Sequence, residues 1–469
     1  MDTTELTVAE AASALRAGTL GAEHYADALL ERCTAHADLN AFIAIEPERV
    51  RAAARAADQA RRSGAALGAL HGVPLVLKDN IDTADLPTSG GTPALRSHRP
   101  QRNAPVADAL VRAGALVLGK VNLHELACGV TNNNVGFGPA RNPWDRRLIP
   151  GGSSGGTGVA VAARLAPGGI GTDTGGSVRI PAALCGIVGF RPTTQRWSQA
   201  GIVPISSTRD TAGPMTRSVA DAILLDGVVT GGATSLQPIP LTGLRLGVPR
   251  QYYWTELDPE LEAVCEQELS RLSSLGVVLV EADVPNLKAL DEAVSFPVAL
   301  YEQVVTMKAY LRDAGLALSY QQLAERCASP DVRGMLTSLL GANAVPETVY
   351  REALTKHRPA LQAALEGYLK QHDLAAMIFP TTPMPARPIG EDETVEVNGK
   401  RVPTFFTYIR NTDPASNAAL PGLSLPVGLT RSGLPVGMEL DAASGQDARL
   451  LAIGLAYEGS RPPMPAPKL

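Results

Sequence analysis

Histidine and cysteine are both scarce, at seven and five among 469 residues, and the way they are scattered excludes whole classes of chemistry. The cysteines (Cys33, Cys128, Cys185, Cys265 and Cys327) are odd in number, widely spaced and never arranged as CxxC. Neither a disulfide framework nor a zinc site is therefore expected, and free thiols fit a reducing cytoplasm. There is no basic excess. Net charge is −5, and apart from short pairs such as Arg61-Arg62 and Arg146-Arg147 the basic residues are scattered, which excludes a nucleic-acid partner. No uninterrupted apolar run reaches the roughly 18 residues needed to span a bilayer. The opening Met-Asp-Thr-Thr-Glu lacks a basic, apolar leader, so no signal peptide is expected. Only His357 and His372 follow residue 124, in helical, charged surroundings suited to solvated side chains.

What is present is the composition of a globular enzyme, 45 % hydrophobic and 19 % charged. Residues 1–65 read as helices: Thr7-Val-Ala-Glu10 is a capping box, Gly18 ends the first helix, and two more run over Ala22–His36 and Glu48–Arg62. From His71, short apolar runs alternate with helices. Val73–Leu77 and Leu116–Leu118 read as buried strands, Val106–Ala113 and Thr157–Ala166 as helices, and Ile170 as part of a strand. Residues 258–372 carry Leu/Ala periodicity near 3.6 and few strand signals. Strands return at Ala376–Phe379, Leu423–Leu429 and Leu434–Leu440, the last two joined through Ser432-Gly433, and a helix follows at Gln446–Tyr457. The tail from Arg461 holds four prolines and is expected to be extended. The fold class expected is α/β, with a mixed, twisted β-sheet covered by helices on both faces. With no repeat and no Ser/Gly linker, 1–469 reads as one domain: a helical segment 1–65, a core 66–230, a helical insert 258–372 that covers it, and a return to the core sheet at 373–460.

The densest chemistry lies in Pro150–Arg179, with ten glycines and three serines in thirty residues. Gly-Gly precedes serine twice, at Ser153 and at Ser177. One such pair is ordinarily a tight turn, whereas two suggest a single pocket served by two loops approached by backbone. Gly151-Gly-Ser-Ser-Gly155 also matches the G-x-S-x-G nucleophile elbow, which would require a downstream acid and histidine that only His357 or His372 could supply. Gly114–Lys120 resembles a phosphate loop, but Val121 stands where a magnesium-binding Ser/Thr belongs and the interior is apolar.

A serine nucleophile without histidine needs another base, and a desolvated lysine serves. Lys78 closes an apolar run and Lys120 closes another; spacing does not separate them. Either could instead be a strand-end lysine, Lys78 pairing with Asp79 or Asp82.

Long stretches of the chain resemble the amidase signature family. They include His71-Gly-Val-Pro-Leu-Val-Leu-Lys78-Asp-Asn80, Leu118-Gly-Lys-Val-Asn-Leu-His-Glu125, Phe137-Gly-Pro-Ala-Arg-Asn-Pro143, Pro150-Gly-Gly-Ser-Ser-Gly-Gly156 and Gly171-Thr-Asp-Thr-Gly-Gly-Ser-Val-Arg-Ile-Pro181. Gly186-Ile-Val-Gly-Phe-Arg-Pro192 and Pro421–Leu429 with Gly433–Gly437 continue the likeness. The resemblance implies an amidase with a Ser–cis-Ser–Lys triad: Ser177 the nucleophile, Ser153 the bridging serine after a cis peptide, and Lys78 the base. Lys120 is then left a structural role. It further implies an oxyanion hole of backbone N–H groups in Thr174-Gly175-Gly176-Ser177, and a carbonyl at Ala127 that receives the leaving amide. Ser154 hydrogen-bonds within the loop, and Asp173 and Arg179 hold the nucleophile's loop. No metal and no organic cofactor are implied.

Within the family the chain looks most like hydrolases of arylacetamides such as mandelamide and indoleacetamide. The segments that carry this likeness are Leu123–Asn133, Phe379–Pro385, Arg410–Asn417 and Arg449–Leu455. Region 286–345 is expected to form the substrate pocket, with Phe296, Leu300, Tyr301 and Leu340 available to an apolar acyl group. Rival expectations are cleavage of carbamates, anilides or esters by the same triad, or an A-type subunit of a glutamine-dependent tRNA amidotransferase. The partners expected are a small-molecule amide, with no nucleic acid and no membrane, and a homodimer is allowed for.

Overall fold

The N-terminal helices form as their caps dictate. In this computed structural model, which describes residues 2–341 and 343–469, the Thr7 hydroxyl accepts from the Glu10 N–H while the Glu10 carboxylate accepts from the Thr7 N–H. That reciprocal pair starts the helix Val8–Ala17, and Gly18, at φ +75°, ends it. Helices Ala22–Ala35 and Pro47–Arg62 follow.

Behind them stands one eleven-stranded sheet. Its strands are β1 (Phe42–Ala44), β2 (Pro74–Lys78), β3 (Leu116–Val121), β4 (Gly168–Asp173), β5 (Val188–Arg191), β6 (Thr211–Thr216), β7 (Arg245–Gly247), β8 (Val278–Val280) and β9 (Ala376–Pro380). A separate hairpin comprises β10 (Thr394–Val397) and β11 (Lys400–Pro403), and β12 (Gly422–Leu429) and β13 (Pro435–Asp441) complete the large sheet. The spatial order is β1-β3-β2-β4-β6-β5-β12-β13-β9-β7-β8. Pairing is parallel at β3/β2/β4 and at β9/β7/β8, and antiparallel elsewhere. Every residue of β2, β4, β5, β6 and β9 is buried, so both faces of these strands are covered, as parallel and mixed sheets require.

The expected strands and helices stand within one to four residues of their forecast ends. Strands β1, β5, β6, β7 and β8 and the β10–β11 hairpin were not foreseen. β1 and β8 have three residues each, too few to display a period, and β8 interrupts the insert that read as helical. The β10–β11 hairpin turns through Asn398 and Gly399, both at positive φ. The insert is sewn to the core by an apolar cluster that joins its Met307, Leu311, Tyr320, Leu323 and Leu336 to Leu126 and Val203. Among the described residues no helix is long and apolar enough to cross a membrane, and no group of three or more His, Cys, Asp or Glu is placed to hold a metal.

Candidate active site

β2 delivers Lys78, fully buried, to the C-terminal end of the parallel strands. Its Nζ lies 2.7 Å from Ser153 Oγ, 2.8 Å from Thr172 Oγ1 and 3.4 Å from the Thr172 carbonyl. No carboxylate oxygen among the described residues lies within salt-bridge distance of it. Burial pushes its pKa down to about 7, against the weaker opposing pull of Asp173 and Asp210. In its neutral form Nζ can donate its two N–H groups to the Thr172 oxygens and present its lone pair to the Ser153 hydroxyl. The alternative pairing of Lys78 with Asp79 or Asp82 does not occur. Asp79 instead faces Lys120 at 3.2 Å, both fully buried, and Asp82 accepts from the Tyr310 hydroxyl at 3.0 Å. Lys120 also donates to Thr88 Oγ1 and the Pro87 carbonyl.

Ser153 sits on a loop with Gly151 at φ +81° and a cis peptide between Gly152 and Ser153. The Ser153 carbonyl accepts from the His124 N–H. The Ser154 hydroxyl donates to the Thr172 carbonyl at 3.1 Å and accepts from the Thr172 N–H at 3.2 Å, while its own N–H donates to the Ser177 carbonyl. One loop residue thus ties both serine segments to β4.

Ser177, 9 % exposed, follows the turn after β4. The Asp173 carboxylate organises that turn, accepting from the N–H groups of Gly176 and Val178, from Arg179 twice, and from Arg191 at 2.8 Å. Burial would raise its pKa, but the Arg179 and Arg191 guanidinium groups outweigh burial and hold the carboxyl below the usual carboxylate range. Arg179 reaches on to Glu439 and to Ser416. Gly176 stands at φ +133°, and a Cβ there would meet Thr412 Oγ1 at 2.1 Å, so only glycine fits. Because the Gly176 N–H is spent on Asp173, the N–H groups in this run with no partner among the described residues include those of Gly175 and Ser177. Ala127 and Leu126 both adopt left-handed backbone, φ +59° and +51°. That conformation is costly for a side chain with Cβ and gathers at functional loops.

Ser177, Thr174, Gly175 and Ala127 line one cavity of about 390 Å³. The rest of its lining is largely apolar, with Ile180, Ile205, Leu300 and the rings of Phe296, Phe405 and Phe406; Phe296 meets Phe406 at 5.3 Å between centroids. A larger cleft of about 600 Å³ lies under the Pro462–Pro467 tail and contains none of the predicted site residues. Residues 25–451 match the family model described as Amidase. The chain belongs to the amidase family. It is 47 % identical to an indoleacetamide hydrolase of Agrobacterium vitis over 432 residues, 92 % of either chain. It is 40 % identical to a mandelamide hydrolase of Pseudomonas putida over 96 % of this chain and 90 % of that one. Among solved structures it superposes on the peptide amidase PAM in complex with the competitive inhibitor chymostatin, at TM-score 0.85, 31 % identity and 99 % coverage of both chains.

In this amidase, Phe296 and Leu300 line the cavity as expected, but Tyr301 and Leu340 do not. Tyr301 stacks on Tyr350 at 4.1 Å, and Leu340 is exposed on the surface. His357 and His372 lie on the segment 353–372 and neither borders the cavity, so neither downstream histidine completes an elbow triad for the G-x-S-x-G motif. Sequence reasoning missed Thr172, the second partner of Lys78, although Gly171-Thr-Asp-Thr placed a hydroxyl at a strand end. It missed Arg191 inside a motif it had quoted, and it missed Arg209, which donates to the Thr174 carbonyl at 3.1 Å and pairs with Asp413. Arg209 comes from a loop with no motif, and no sequence signal marked it.

Proposed function

We propose that this amidase hydrolyses the carboxamide of a small arylacetamide to the acid and ammonia through an acyl-enzyme on Ser177. The observation that carries the reading is the 2.7 Å contact of a buried, carboxylate-free Lys78 with Ser153, whose loop neighbour Ser154 donates its N–H to the Ser177 carbonyl. Neutral Lys78 accepts the Ser153 proton as Ser153 takes that of Ser177, and Ser177 Oγ bonds to the carbonyl carbon. The unpartnered N–H groups beside Ser177 receive the developing oxyanion, a contribution of about 3 kcal/mol for each such donor. The proton returns through Ser153 to the nitrogen, the C–N bond breaks, and ammonia leaves past Ala127. Water, deprotonated by the same relay, then splits the ester to Ser177. The aromatic wall suits an aryl group, and the named relatives act on indoleacetamide and mandelamide. The helices between 286 and 345 form the cover over this pocket, between a core at 66–230 and its continuation at 373–460. All five cysteines are free, and we infer a cytoplasmic setting for the enzyme.

The test is turnover of phenylacetamide, mandelamide and indole-3-acetamide by the purified chain, with glutamine as comparison, and mass spectrometry of the quenched reaction. An acyl adduct on Ser177, absent from Ser177→Ala, is expected. Turnover of glutamine alone would sink the arylacetamide reading, and an active Ser177→Ala would sink the nucleophile.

A further inference from the structure

The helix Ser295–Asp313 lays Phe296, Ala299, Leu300 and Gln303 along the cavity, a spacing of three and four that keeps them on one helix face. Three of the four are apolar. Gln303 is a carboxamide, only 1 % exposed. Its Oε1 accepts a hydrogen bond from the Tyr320 hydroxyl at 2.6 Å, and Tyr320 is in turn held in the apolar cluster with Met307, Leu323 and Leu336. Its Nε2 is buried and has no hydrogen-bond partner among the described residues. A buried amide N–H left unpaired is unfavourable and uncommon in native proteins. Gln303 lines the cavity, and that cavity is where a ligand can bring an acceptor.

We propose that Gln303 is a specificity-determining residue, whose carboxamide N–H donates a hydrogen bond to an oxygen on the acyl part of the substrate. The preferred substrates are then arylacetamides that carry a hydroxyl or ether oxygen, because a buried donor left unpaired disfavours the plain hydrocarbon analogue. Tyr320 is a positioning residue: by engaging Oε1 it turns Nε2 towards the ligand. The proposal rests on the arylacetamide reading and adds to it the polar feature that is recognised.

The experiment compares kcat/KM of the full chain for phenylacetamide, mandelamide, 3- and 4-hydroxyphenylacetamide and indole-3-acetamide, in wild type and Gln303→Met. Each value is divided by that for phenylacetamide in the same protein, a ratio unaffected by the fraction of active enzyme. For at least one oxygenated amide this ratio is expected to fall roughly tenfold in Gln303→Met, the scale of a single hydrogen bond. Ratios that stay constant for every oxygenated amide overturn the proposal. So does a loss confined to indole-3-acetamide, whose ring offers a donor. If Gln303→Met does not fold, Tyr320→Phe carries the test: with the carboxamide free to turn, the same ratio is expected to fall about threefold, and an unchanged ratio overturns the proposal. Wild type inactive on all of these amides overturns the functional reading and this proposal with it, whereas an active wild type with constant ratios removes Gln303 alone.

Discussion

Lys78, the last residue of β2, and Lys120, the last but one of the neighbouring parallel β3, project from opposite faces of the sheet. Leu77 is the register partner of Lys120, so these two side chains share one face and Lys78, the next residue, takes the other. On its own face Lys120 meets the carboxylate of Asp79, which follows Lys78 and alternates back to that side. Lys78 meets hydroxyls instead. The period of two sorts two equally buried lysines into an ion pair and an amine that burial drives towards neutrality.

Removing either lysine therefore has a different outcome. Lys120→Met strands Asp79 in dry protein, and loss of one partner of a buried pair costs about 3–5 kcal/mol; the midpoint of urea unfolding should fall accordingly. Lys78→Met leaves no buried charge behind and should lower kcat by about 10²- to 10⁴-fold, the usual range for a general base. Equal losses of stability in both variants, with turnover intact in Lys78→Met, would contradict the assignment.

The pH dependence follows from the same lysine. With a pKa of about 7, the active neutral form is lost below neutrality, so log(kcat/KM) should fall with unit slope as pH drops through about 7. Stability moves with it. In the unfolded chain Lys78 returns to its ordinary value of 10.5, so between about 7 and 10.5 the unfolded chain holds a proton that the folded chain lacks. The Lys78 contribution to stability therefore rises with pH across that window. Unfolding of Lys78→Met should lack this rise. A rate profile flat from pH 6 to 9 would leave the lysine without a role as base.

Asp173 shifts in the opposite sense. Its carboxylate lies below the usual range because two guanidinium groups outweigh its burial. It therefore contributes stability that is present above the ordinary carboxylate pKa and is lost as pH falls through its lowered folded value. Asp173→Asn removes the carboxylate partner of Arg191 and one of the two carboxylate partners of Arg179, which keeps Glu439, and should cost about 3–5 kcal/mol near neutrality. The gap to wild type should narrow only under strongly acid conditions. Equal stability of the two proteins at pH 7 would show that the network does not hold the Ser177 loop.

Much of this was legible in the chain itself, for identifiable reasons. The capping box at Thr7, the glycine stop at Gly18 and the apolar runs of β2, β9, β12 and β13 are local signals, and local structure obeyed them. The two Gly-Gly-Ser loops were visible because glycine is retained where backbone crowds a site. The choice between Lys78 and Lys120 was legible only through the family resemblance and not from spacing, because it depends on strand register, a property of pairing between segments that lie far apart along the chain. Arg209 and Gln303 were invisible for a similar reason: an Arg in a loop and a Gln on a helix gain meaning only from partners brought by Thr174, Asp413 and Tyr320. The Gly176 N–H was expected to face the oxyanion, yet the Asp173 side chain curls back to take it, a competition that spacing does not reveal.

Thr172 offers the most discriminating variant. Its hydroxyl receives Lys78 Nζ at 2.8 Å and Asn80 Nδ2 at 3.0 Å, so it orients the amine whose lone pair must face Ser153. Thr172→Val keeps the branched shape and deletes the acceptor. Two consequences should appear together. Turnover should fall about tenfold as the amine loses its orientation, the scale of one buried hydrogen bond. The acid limb of the rate profile should move below its wild-type position near 7, because an acceptor that favours the ammonium form has been removed. A purely structural role for Thr172 would lower activity without moving the limb, so the pH profile of kcat/KM decides between them. A limb that stays in place, or moves upward, would mean that the Thr172 hydroxyl does not set the protonation of Lys78.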